Sequence, residues 1–419
     1  RKPPEKMMAM SQLVYDTNHQ SQALIDANYP SRWQPWIEKA TSPPENSWKV
    51  DRSADGLVAK LGSASDEEFQ WLRYFHRWPT DDQWAKANAG ESLSDVDPYD
   101  SRAITDFYAY GSYVLVRAGY VYAERPSMRR GTRMQRMLNG GYSYGEFAPN
   151  FKSGESPKQF GRVPEWGGMD SGHQELGRDG MHWVGDLILS TDLETSSGSS
   201  EAMLELIEAG IKYRCRIDLS TGKATLSIDD IEPRSFDSSD GKGNPEPTAM
   251  TGIRAGDRHT IRFSNVDDEL RLWVDGDVVE FESPTTFDST AWRSDAENAP
   301  QYLDTHPLDA APAGVAVRGG EATIRHLRID RDKYYIATKS NDTAMIDYDM
   351  GMLWKLEGNR GVTLKEIQQT IATPERWADF AGWESRRSVS FELEEDQFFP
   401  MGDNSPESLD ARCWAGTKA

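Results

Sequence analysis

Apolar and polar residues alternate with period two through the middle of this chain, and that pattern predicts a series of short antiparallel strands. Met203-Leu204-Glu205-Leu206-Ile207-Glu208 runs into a turn at Ala209-Gly210, and Ile211-Lys212-Tyr213-Arg214-Cys215-Arg216-Ile217-Asp218 carries the alternation back. Ser220-Thr221-Gly222-Lys223 then turns the chain into Ala224-Thr225-Leu226-Ser227-Ile228. Trp183–Leu189, His259–Phe263, Glu269–Val274, Val278–Phe281, Ala313–Val317 and Ala322–Ile329 continue the series, with a hairpin expected at Asp275-Gly276. Upstream, Trp48–Asp51, Leu57–Leu61 and the aromatic run Phe69–Phe75 also read as strands. Many short strands at close spacing predict a mainly β protein built on an antiparallel, jelly-roll-like sandwich.

The flanks have a different texture. Residues 1–47 are punctuated by Pro, Gln and Trp, and read as a connector with short helices around Met7–Tyr15 and Ser21–Ala27. Residues 48–337 form the expected sandwich. Within 338–419, the stretch to Met352 reads as a polar connector. Thr363, with Glu366 three positions on, marks a capping box for a helix to Ile371. Thr373-Pro374 opens another, with Pro in the first turn. Val389–Phe399 then reads as a strand-like run. Two irregular inserts interrupt the sandwich. Ala123–Asp179 holds Arg125, Arg129, Arg130, Arg133 and Arg136 beside a Gly/Tyr-rich stretch, and suits either a contact loop or an edge loop. Asp237–Glu246 is Ser/Gly/Pro-rich and reads as a flexible loop.

Composition narrows the functional classes. The 419 residues carry 68 acidic against 47 basic groups, a net charge of −21, which argues against a nucleic-acid partner. No run approaches the roughly 20 apolar residues that cross a bilayer, so membrane attachment is expected to lie outside this segment. The two cysteines, Cys215 and Cys413, read as free thiols. No cofactor is expected: Asp170, His173, Glu175, Asp179 and His182 fit no zinc or calcium spacing. Asp267-Asp268 near Asp275 and Asp277 reads as solvated hairpin ends rather than as a calcium site.

The most specific motif follows the last strand-like run: Gly402-Asp403-Asn404-Ser405-Pro406-Glu407-Ser408-Leu409-Asp410-Ala411-Arg412. It resembles the last sequence box of bacterial type I signal peptidases, membrane-bound Ser/Lys proteases that remove signal peptides, with Ala411 in place of that family's second serine. The family resemblance implies that Ser408 orients a general-base lysine, that Asp410 and Arg412 form an ion pair bracing the loop, and that Asp403 pairs with a basic residue beside the lysine. Gly402 would permit close backbone approach, and Asn404 a turn. The chemistry needs a lysine that is neutral near physiological pH; burial lowers its pKa, and a hydroxyl orients it without adding charge. A softer resemblance, carried by Leu270-Arg271-Leu272-Trp273-Val274-Asp275-Gly276 and the final Ile324–Ile329 strand, likens residues 48–337 to concanavalin-like (laminin-G-like) jelly rolls.

The family's nucleophile segment, Ser-Met-x-Pro, and its Lys-Arg-x-x-Gly-x-Pro-Gly segment have no counterpart here. Ser127-Met128 is followed by Arg129-Arg130, and Ser127 reads as a loop serine. The chain opens Arg1-Lys2-Pro3-Pro4, and the resemblance implies that the nucleophile and base lie upstream of it. The expected protein is thus an enlarged signal peptidase with a sandwich inserted before its final box. It would act on signal-peptide-bearing preproteins at the extracytoplasmic face of the cell membrane, with the C-terminal segment completing a catalytic β-fold. The competing expectation is a secreted or surface sandwich that binds carbohydrate or protein, with no catalysis.

Overall fold

The computed structural model describes residues 1–36, 47–53, 56–106, 180–229, 232–237, 243–294, 296–336, 347–362, 364–388, 393–394, 396–402 and 411. Its strands lie in two sheets in which every strand pair is antiparallel. The eight-stranded sheet has the order β13 (Asp277–Val278), β12 (Leu270–Val274), β11 (Arg258–Asn265), β6 (Leu187–Thr195), β15 (Gly320–Arg331), β4 (Gly56–Ala64), β3 (Lys49–Ser53), and β1 (Gln12–Asp16) also pairs with β15. The seven-stranded sheet runs β10 (Thr248–Met250), β9 (Lys223–Ile228), β8 (Ile211–Asp218), β7 (Glu201–Glu208), β14 (Ala313–Arg318), β5 (Gln70–Tyr74), β2 (Trp33–Trp36). The fold is mainly β and sandwich-like, as the alternation predicts.

Period two fixes which side chains meet between the sheets. Leu204, Leu206, Tyr213, Cys215, Ile217, Leu226 and Ile228 face Ile261, Phe263, Leu270, Leu272, Ile324 and Ile329 within one buried cluster. In β15 the buried apolar residues are Ala322, Ile324, Leu327 and Ile329, which breaks strict alternation. A register shift against β6 between Ile324 and His326 accounts for this, because one extra residue re-phases the strand and returns its apolar side to the core. The turns follow local chemistry: Ala209 and Gly210 take φ of 52° and 76°, and Asp275 and Gly276 take 53° and 97°, as tight hairpins require.

Several elements depart from the sequence expectations. The helix α1 spans Pro4–Met10 and stops short of Tyr15; the next residues form β1. On one edge of β15, β4 pairs only along Gly320–Ile324, and β1 pairs along Arg328–Arg331, covering an edge that would otherwise be open. With β2 also paired to β5, residues before 47 supply strands to both sheets instead of acting only as a connector. Helix α2 (Gln22–Asp26) matches its expected place. Helix α3 (Asp81–Asn88) was not signalled by apolar periodicity; it is nucleated by Thr80 and Gln83, which cap each other reciprocally. The expected strand Val278–Phe281 is reduced to the two residues of β13.

The C-terminal segment forms a small helical layer. Helix α4 (Met350–Leu356) begins in the last residues of the expected polar connector, with the Asp349 carboxylate accepting from the N–H groups of Gly351 and Met352. Helix α5 (Leu364–Ile371) occupies its expected position, while Thr363 lies outside the described residues. The helix expected from Thr373 is only a single 3-10 turn, Pro374–Arg376. The Trp377 indole donates to the Ile371 carbonyl (3.1 Å) and the Trp383 indole to the Trp377 carbonyl (2.8 Å), so the chain folds back where a helix would have continued. Tyr348, Leu353, Ile367, Trp377, Phe380 and Trp383 form a second core with Ala103, Met181, Trp183, Ala299 and Ala310 from the sandwich.

Candidate functional site

The strand-like run expected at Val389–Phe399 does not appear among its described residues. The Gln397 N–H donates to the Glu394 carbonyl (3.0 Å) and Asp396 takes φ 73°, which makes a tight turn incompatible with an extended strand. Leu393, Phe398 and Met401 are exposed, Phe398 by 88%. Of the motif residues, Gly402 is half-buried. Asp403, Asn404, Ser408, Asp410 and Arg412 lie outside the described residues, as do Ser127, the 123–179 insert and Cys413. Ala411 is described and buried, and its N–H donates to the Pro400 carbonyl (3.0 Å). That bond ties Ala411, near the motif's end, to Pro400, two residues before its first glycine.

The C-terminal layer is fastened to the sandwich at His182. His182 sits fully buried, its Nδ1 2.7 Å from Asp106 Oδ2 and its Nε2 2.9 Å from Asp347 Oδ1. Its ring is stacked between Tyr334 (centroids 5.0 Å apart, planes at 10°) and Tyr348 (5.2 Å, 17°). The Tyr334 hydroxyl donates to Asp347 Oδ2, and the Tyr348 hydroxyl to the Met181 carbonyl (2.7 Å). Burial alone would push the imidazole's pKa down; Asp347 and Asp106 outweigh it and raise it to about 10. Carboxylates at both nitrogens favour the charged ring at neutral pH, although the Asp347 N–H also points at Nε2 (3.2 Å). The charged ring cannot serve as a general base, and both its nitrogens are engaged, so it is no metal ligand in this geometry. It is an electrostatic rivet between Asp106 beside the sandwich and Asp347 at the head of the C-terminal layer. In the sequence His182 stands only in a group without metal-ligand spacing and Asp347 only in a polar connector; nothing in the spacing shows that they meet.

A second charged cluster lies on the eight-stranded sheet's side. Carboxylate oxygens of Asp186, Asp267 and Asp332 lie within 4.8 Å of one another. The Lys2 ammonium supplies the cation, 3.0 Å from Asp267 and 2.6 Å from Asp332. Burial, with Glu208 and Asp332 nearby, pushes the Asp186 carboxyl well above its ordinary value. Asp267 thus joins the cluster, while Asp275 instead accepts from His259 Nδ1 (2.7 Å) and from the Thr260 N–H (2.9 Å). Of the acids read as solvated hairpin ends, Asp267 and Asp275 thus have separate partners, and Asp267 and Asp268 are only partly exposed. Of the other titratable candidates, Cys215 is a free thiol in the core, where burial pushes its pKa up and leaves it unreactive.

No helix among the described residues is long and apolar enough to cross a membrane. Comparison with models of protein families finds no match, and none is found among curated proteins. Among solved structures the chain is similar to the galectin LEC-6 of Caenorhabditis elegans, at 11% identity and a TM-score of 0.22, over 36% of this chain and 84% of that one. It is similar also to the carbohydrate binding module CBM66 of Bacillus subtilis, at 10% identity and a TM-score of 0.23, over 35% and 75% of the two chains. Sheep galectin-11, solved with glycerol, gives 13% identity and a TM-score of 0.21, over 35% and 90%. Similarity at this level carries no functional argument.

Proposed function

We propose that this chain is the sandwich insertion and the C-terminal segment of a Ser/Lys signal peptidase. The observation that carries the reading is the motif at 402–412, whose spacing of Gly, Asp, Asn, Ser, Asp and Arg suits a loop that orients a lysine. A further observation favours it. Met352, Trp354, Leu356, Leu393, Phe398 and Met401, all exposed, fall between positions 352 and 401, whereas the other exposed large apolar residues of the described chain, Leu13, Met250, Val278 and Leu303, are far apart in sequence. A segment that completes a larger catalytic domain beside a membrane would leave such side chains uncovered.

In this reading the nucleophilic serine and the base lysine come from outside the present sequence. The lysine takes the proton of the serine hydroxyl as its oxygen attacks the carbonyl at the cleavage site. Collapse of the tetrahedral adduct breaks the peptide bond, the lysine returns the proton to the leaving amine, and water then hydrolyses the acyl-enzyme. Ser408 orients the lysine amine, and the Asp410–Arg412 pair holds the loop.

The test uses the full-length protein that contains this chain and a preprotein reporter in single turnover. Ser408→Ala should lower the rate about five- to a hundredfold, the value of one lost hydrogen bond of roughly 1–3 kcal/mol, with Tm nearly unchanged. Arg412→Ala should lower both rate and Tm. No cleavage by the full-length protein, or a kinetically silent Ser408→Ala, would overturn the proposal.

A further inference from the structure

A groove of about 370 Å³ lies between β1, α2 and the start of α3, far in sequence from the C-terminal loop. Tyr15, Tyr29, Trp78 and Trp84 give it aromatic walls, and Arg32 and Arg52 enter it from opposite segments of the chain. The Arg32 guanidinium stacks 4.5 Å from the centre of the Tyr15 ring and donates to the Tyr74 hydroxyl (3.4 Å). Arg52 donates to the Tyr29 carbonyl (2.5 Å). Neither guanidinium has a carboxylate partner among the described residues, in a protein whose net charge is −21. The groove's own acid, Asp16, is already engaged, accepting from His326 Nε2 (2.9 Å) and the Asn18 N–H (2.8 Å). Arg77 lies close by, donating to backbone carbonyls at Ser31, Asp97 and Asp100, with the Asp100 and Asp97 carboxylates acting on it. Burial together with Arg32 and Arg102 drives His76 well below its ordinary pKa, so that ring adds no further charge.

Two withdrawn guanidiniums without counter-charges are costly, because charges taken out of water are normally paired. Each is a planar fork of donors that matches a carboxylate in two-point geometry, better than it matches a monatomic ion. The aromatic walls suit a flat or ring-shaped body. We propose that this groove binds an organic carboxylate, its anionic head between Arg32 and Arg52 and its ring or apolar body against Trp78 and Trp84. The proposal is independent of the peptidase reading, since it concerns a different surface and requires no proteolysis.

Phenylacetate and glucuronate separate an aromatic acid from a sugar acid as the source of that chemistry, and phenylacetamide is the neutral control. Binding to the 419-residue chain is followed by tryptophan fluorescence and by calorimetry. At least one acid should bind saturably, with Kd in the micromolar to millimolar range expected of small ligands. The amide should bind tenfold or more weakly than phenylacetate if the aromatic acid is the ligand. Arg52→Gln should weaken the bound acid at least tenfold, and Arg52→Lys, which keeps charge but loses the fork, severalfold. Melting curves establish that each variant is folded, and Arg52→Lys retains the test should Arg52→Gln fail to fold. Saturable binding of neither acid, equal binding of phenylacetate and its amide, or unchanged affinity in a folded Arg52 variant would overturn the proposal.

Discussion

Removing the charge at His182 should change both the stability of the fold and its response to alkali. In the folded protein the imidazolium's pKa stands at about 10, against an ordinary value of 6.5. That difference corresponds to roughly 5 kcal/mol as an upper figure. Because the folded pKa is the higher one, this contribution is fully present below about pH 6.5. It is lost as pH rises through about 10, at close to 1.4 kcal/mol per pH unit inside that window. His182→Gln would leave Asp106 and Asp347, both nearly inaccessible, without their shared cation. Loss of one partner from such a buried pair costs about 3–5 kcal/mol. Urea unfolding followed by tryptophan fluorescence at intervals from pH 6 to 10 should show the wild type losing stability across the window and His182→Gln starting lower with a flatter profile. Asp347→Asn should fall between them, since Asp106 still holds the ring. Imidazole proton resonances supply a direct check. A His182 titration near 6.5, or parallel wild-type and His182→Gln profiles, would refute the assignment of a buried imidazolium.

Glu205 offers the opposite sign of pH dependence. Burial would raise its carboxyl, but Arg73 and Arg214 (2.6 Å) outweigh it and hold the pKa at about 2, so its stabilisation is present above about pH 4.5 and lost as pH falls through about 2. Glu205→Gln should cost about 3–5 kcal/mol at neutral pH, leaving the buried Arg73 uncompensated, and should flatten the acid limb of a denaturation series. Gly320→Ala should lower Tm by several degrees: φ there is 67°, and an added Cβ would lie 2.5 Å from the Ser199 nitrogen and 2.6 Å from the Gly198 carbonyl carbon, both backbone atoms. Gly361→Ala, with no atom within 4 Å of the added carbon, is the neutral control in the same melting experiment.

The sandwich was legible in the sequence because its information is local. Period-two alternation in β7, β8 and β9 decides which side chains turn inward, and Ala209-Gly210 and Asp275-Gly276 decide where the chain reverses. The C-terminal motif is likewise a local signal, a fixed spacing that can be read without knowing what surrounds it. What lay beyond reach depends on which distant segments meet. Gln12–Asp16 became a strand only because β15 outlasts β4 and leaves an edge to cover. Val389–Phe399 has strand-like composition, yet its described part turns at Glu394–Gln397. Asp106, His182 and Asp347 stand in three separate stretches, and no spacing rule links them. The same holds for Arg32 and Arg52, which become a pair only where β1, α2 and α3 enclose one groove. Alternation and turn chemistry act over a few residues and survive in the one-dimensional sequence; charge pairing, edge coverage and pocket formation act through space and are decided by the tertiary structure alone.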